Sequence, residues 1–116
     1  MKDTTNYNNA IKSTEALRES YGGELKNDAV KVLDYYGELI KLADTNKLTQ
    51  REACYLIADT MWYTVVDKNP GLEAIAGDAG ELELPDEHID GDRAERWARL
   101  KTWIQEEINN LKRASF

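Results

Sequence analysis

A second cysteine, prolines in the middle of a helical stretch and long apolar runs are all missing from this sequence. Its one cysteine, Cys54, has no partner for an internal bridge, which favours a reducing compartment. The two prolines, Pro70 and Pro85, stand where a helix should begin or end. Phenylalanine occurs once, and β-branched residues nowhere alternate with polar ones over a strand length. The periodicity is helical. No apolar segment reaches the ~20 residues that span a bilayer. Residues Met1 to Ala10 are polar and Asn-rich, without the basic start and apolar run of a signal peptide. The expectation is a cytoplasmic protein of bacterial style.

Positive charge is also scarce. Fifteen Lys and Arg stand against 22 Asp and Glu, a formal charge of −7, and the basic residues are spread along the chain. Nucleic-acid binding needs a basic stripe, because neutralising phosphates supplies most of the affinity. An anionic membrane surface is disfavoured for the same reason. A basic protein partner, or a cation, is favoured.

What is present is a set of amphipathic segments in one domain spanning residues 1–116, with residues 1–5 expected to be disordered. A first helix is predicted from Asn6 to Tyr21, ended by Gly22-Gly23. A second runs from Glu24 to Asp44 with the stripe Leu25, Ala29, Val32, Leu33, Tyr36, Leu39, Ile40 and Ala43. Thr49 and Glu52 spell a capping box, and Leu48 with Ala53 a hydrophobic staple. From Ala53 to Val66, 11 of 14 residues are apolar or aromatic, all round the helix. Such a helix is buried in a soluble chain. Asn69-Pro70, an N-cap with proline at N1, starts a fourth helix ending near Leu82. A loop follows, and a last helix runs from Asp90 or Asp92 to about Ala114. The fold class is therefore all-α: a compact bundle of four to five helices around a central apolar helix at about 50–66.

The main anomaly is an acidic tract. Asp78, Glu81, Glu83, Asp86, Glu87, Asp90, Asp92 and Glu95 lie within 18 residues, opposed in that window by Arg93, with His88 largely neutral. Either these are solvated loop and helix-start carboxylates, or they form an electrostatic face for a basic partner. Calcium is the third option. Setting the EF-hand glycine on Gly91 puts Asp86, His88, Asp90 and Asp92 at ligand positions but Trp97 where a bidentate glutamate is required. A lone His88 does not make a histidine metal site. Neither a metal nor a cofactor is expected.

Three other features bear on chemistry. Cys54, among Ile57, Ala58, Met61 and Val65, reads as a packed inert thiol rather than a partner of His88. Asp59 interrupts the apolar run beside Tyr55, Tyr63 and Val66; it reads as a tied structural carboxylate or an exposed edge, with a general acid or base role and partner binding as the alternatives. The pairs Glu15–Glu19 and Glu52–Asp59 do not match the E-x-x-E and E-x-x-D motifs of the all-α nucleotide pyrophosphatases, and no phosphate-loop or H-E-x-x-H motif occurs. The aromatics read as core with satisfied polar tips. Trp103, Trp62 and Tyr35 are the alternative interface anchors, and Trp103 is grouped with the acidic tract.

In size and charge the chain is similar to small acidic helical inhibitors such as toxin immunity proteins and phage-encoded anti-defence proteins. That similarity implies a non-enzymatic domain binding a basic partner such as a nuclease-type toxin. A self-associating structural or regulatory domain, which leaves a homo-oligomer open, is the second reading. A carboxylate enzyme using a divalent metal is the third.

Overall fold

The computed structural model describes residues 7–84, 86–89 and 91–114, with Asp86 and residues 111–114 described in backbone only. The proposed disorder of residues 1–5 falls outside these residues. The helices are α1 (Asn8–Ser13), α2 (Glu15–Ser20), α3 (Ala29–Asp44), α4 (Gln50–Asp59), α5 (Thr64–Lys68), α6 (Pro70–Leu82) and α7 (Arg93–Ala114). Tight 3-10 turns lie at Gly22–Lys26, Thr60–Trp62 and Asp86–His88. No strand occurs among the described residues, as the helical periodicity requires.

The core is a ring of four helices: α3 packs on α4, α4 on α6, α6 on α7, and α7 back on α3. The α1 helix covers α4 from outside the ring. The stripe of α3 faces inward as expected, and Tyr36, Leu39 and Val32 are wholly buried. From α7, Trp97, Leu100 and Ile104 fill the opposite side.

Two written start signals appear as drawn. The Thr49 hydroxyl accepts from the Glu52 amide at 3.0 Å, while the Glu52 carboxylate accepts from the Thr49 amide at 2.8 Å. Asn69 caps α6 by accepting from Gly71 and Leu72 at 3.0 and 3.2 Å.

The apolar run differs from its expected form. Five successive residues, Ala53 to Ile57, are buried, so α4 is covered all round by α1, α3 and α6. The helix then stops at Asp59 instead of continuing to Val66. The Thr60 hydroxyl donates to the Ile57 carbonyl at 2.6 Å, and the Tyr36 hydroxyl, 24 residues away, donates to Thr60 in turn. Tyr63 is extended (φ −73°, ψ 135°), which turns the chain out of the helix before α5. The consequence is a protruding turn that carries Met61 and Trp62.

The first and second segments are divided too. Thr14 separates α1 from α2: its hydroxyl, fully buried, bonds back to the Ala10 carbonyl at 2.7 Å. The stretch Gly22–Lys26 is 3-10 rather than the start of α3, and Gly22 takes φ +68°, which glycine adopts without strain. Asp28 then caps α3 by accepting from the Val30 amide at 2.9 Å.

Candidate functional site

Among the described residues, the acidic tract does not assemble into one exposed face. Asp78 and Glu81, on the last turns of α6, are both held by the Arg96 guanidinium of α7, at 2.8 and 2.6 Å. Arg93 donates to the Leu82 carbonyl at 2.6 Å and to that of Leu84, capping the end of α6. Glu83 is withdrawn from the surface at 6% exposure. Its neighbourhood is a small cluster: Arg51 Nε donates to the Glu83 carbonyl at 2.8 Å, and Tyr7 stacks flat on Tyr55 with centroids 4.2 Å apart. Burial, followed by the Glu83 carboxylate, raises the Tyr7 phenol above its ordinary value.

The rest of the tract is scattered. Glu87, Asp92 and Glu95 are exposed. The Asp92 carbonyl accepts the first α7 amide bond, from Arg96, and Glu95 lies in the first turn, where a carboxylate suits the helix dipole. Asp90 lies outside the described residues, as does the Asp86 side chain. Trp103 is half-buried against the core. Among the described residues, no group of three or more His, Cys, Asp or Glu is placed to hold a metal ion.

One surface feature that does assemble is a groove of about 660 Å³, and no described residue of the tract lines it. One wall comes from α1, α2 and the turn after them: Ile11, Arg18, Glu19, Gly22 and Lys26. The other comes from α3, α4 and the protruding turn: Tyr35, Leu56, Asp59, Trp62 and Tyr63. The division of the apolar run creates this second wall, because it ends α4 at Asp59 and swings Trp62 outward. Trp62 is 86% exposed and Met61 48%.

Electrostatically the groove is mixed. Arg18 is fixed by donating to the Thr14 hydroxyl at 2.6 Å and the Ile11 carbonyl at 2.8 Å. Lys26 stands 5.9 Å above the Tyr63 ring. Burial pushes the Tyr63 phenol up to about 12, and raises the Tyr35 phenol against the pull of Arg18. Asp59 is exposed, at the helix edge rather than tied to a tyrosine or an arginine, and makes no hydrogen bond or ion pair among the described residues. These side chains offer charge and aromatic area. They do not offer a nucleophile paired with a base.

Cys54 is fully buried, and burial pushes its thiol up to about 12. His88 sits on the exposed 3-10 turn with Glu87 at 3.7 Å, on a different element from Cys54.

Sequence reasoning named Trp62 only as an alternative anchor. Its position in the apolar run fits a helix face as well as it fits an exposed turn. The signal for the Arg96 clamp was present but just beyond the tract: Arg93 and Arg96 are three apart at the start of α7, on adjoining positions of one face. No helix among the described residues is long and apolar enough to cross a membrane. Compared with family models, curated proteins and solved structures, the chain matches none.

Proposed function

We propose that this chain is a non-enzymatic protein-binding domain that holds a basic partner at the rim of the groove, in the manner of a small acidic inhibitor or immunity protein. The observation that carries this reading is Trp62, 86% exposed beside a groove. A large aromatic removes about 150–250 Å² from water when covered. At about 25 cal/mol per Å² that is roughly 4–6 kcal/mol before the ordering costs of association are subtracted, enough for an interface hot spot. Met61 beside it extends the apolar area with an adaptable side chain.

The sign of the partner follows from charge. The chain carries −7 overall, and Glu87, Asp92 and Glu95 stay exposed, so they add to the field that attracts a cationic surface. In this reading the acidic tract steers, and the Trp62 rim docks. A single buried thiol is compatible with the cytoplasm as the place of work.

The test is affinity capture from extract of the cells that carry the gene, with wild type, Trp62→Ala and Glu95→Gln as baits. The expected result is a basic protein held by wild type and Glu95→Gln and lost by Trp62→Ala. Identical capture by wild type and Trp62→Ala would refute docking at this rim. Sizing the pure chain at several concentrations separates the runner-up: a dimer dissolved by Trp62→Ala would assign the rim to self-association.

A further inference from the structure

The groove holds two cations and two carboxylates, and among the described residues only the cations make hydrogen bonds or ring contacts, all to neutral groups. Arg18 is bonded to Thr14 and Ile11 on its own wall. Lys26 rests over Tyr63. Glu19 and Asp59, one on each wall, make no hydrogen bond or ion pair among the described residues. The same lining carries the bare indole of Trp62, three residues on from Asp59. The unused recognition capacity is therefore a pair of acceptors and an aromatic face.

One side-chain chemistry matches both. A guanidinium is planar and stacks on an indole; it is weakly hydrated, and its five N–H donors point in fixed, separate directions toward acceptors. An ammonium is compact and strongly hydrated, and gains less from the ring. An acidic side chain would meet Asp59 and Glu19 as like charges. We infer that the groove receives an arginine side chain of the basic partner, with its guanidinium on Trp62 and its charge answered by Asp59 and Glu19. This rests on the protein-binding reading and specifies the residue recognised.

The probe is an N-acetylated, amidated hexa-arginine peptide, compared with hexa-lysine and hexa-citrulline at one ionic strength, followed by the three tryptophan indole N–H resonances. Hexa-arginine is expected to bind about two- to fivefold tighter than hexa-lysine and to shift the Trp62 signal but not that of Trp97. Hexa-citrulline, which lacks the charge, is expected not to bind. Trp62→Ala should lower hexa-arginine affinity by about two- to fivefold and erase its preference over hexa-lysine, whereas Asp59→Asn should weaken both peptides by about two- to fivefold and leave the preference in place. Glu106→Gln, exposed on α7 and outside the groove lining, should leave both the affinity and that preference near wild type. Both groove positions are exposed, so the variants fold, and circular dichroism checks that they do. Equal affinity for the arginine and lysine peptides, or shifts confined to residues 78–95, would overturn the inference whatever the capture experiment gives. Loss of capture in Trp62→Ala without an arginine preference leaves docking standing and removes the arginine assignment alone.

Discussion

At the scale of single residues, exposure separates the side chains that serve the fold from those that are free to serve something else. Trp62 contributes little to the core at 86% exposure. Trp62→Ala should therefore change the urea midpoint by no more than a surface substitution does, within about 0.5 kcal/mol; a loss of several kcal/mol would mean that the indole is packed. Cys54 is the opposite case. Its thiol is pushed up from 9.0 to about 12 by burial. Below pH 9 both folded and unfolded chains keep the proton, and the contribution is fully present. Above it the unfolded chain ionises while the folded one does not, so stability falls from about pH 9 until the folded value near 12 is reached. The loss is about 1 kcal/mol over the first unit above 9. Urea melts of wild type and Cys54→Ala across that range should differ in slope by this amount. Parallel slopes would mean that the thiol ionises alike in both states.

At the scale of elements, what the sequence made legible was local. The Thr49–Glu52 box and the Asn69-Pro70 start are written within four residues, and their atoms sit where the pattern puts them. The stripe of α3 is equally plain because one helix face packs on two neighbours. The end of α4 was not legible. It depends on Tyr36 reaching Thr60 from another helix, and the residues from Thr60 to Val66 keep helical spacing whether or not they are helical. The acidic tract misled for the same reason: Arg96 neutralises Asp78 and Glu81 only once α7 lies on α6. The groove draws on four helices and two turns, so no single window of sequence contained it. The α6–α7 clamp makes its own prediction. Arg96→Met should lower stability by about 1–3 kcal/mol, because Asp78 is left a largely buried carboxylate without its cation. Glu81→Gln should cost less than about 1 kcal/mol, since that carboxylate is 65% exposed. Thermal melts of the two variants settle the order, and equal costs would contradict the assignment of the buried partner.

At the scale of the whole molecule, a radius of gyration of 13.7 Å matches the roughly 13.4 Å expected for a compact domain of this length. The −7 charge is therefore spread over a small body and felt several ångströms beyond it. Raising ionic strength from about 0.01 to 0.1 M shortens the screening length from roughly 30 to 10 Å. Association with a basic partner should slow about tenfold over that range while dissociation changes much less. Stopped-flow rates measure both; an association rate indifferent to salt would remove the steering role from the exposed carboxylates.

The sequestered thiol of Cys54 has a practical consequence. Since nothing else in the chain reacts as a thiol, its modification by a disulfide reagent can only report moments when α4 parts from α1, α3 and α6. The labelling rate is then a clock for opening of the core, read without introducing any probe. A cysteine placed on the outside, as in Ala98→Cys on α7, would be tagged first and alone. Dye attached there would watch the surface while the native cysteine times the interior.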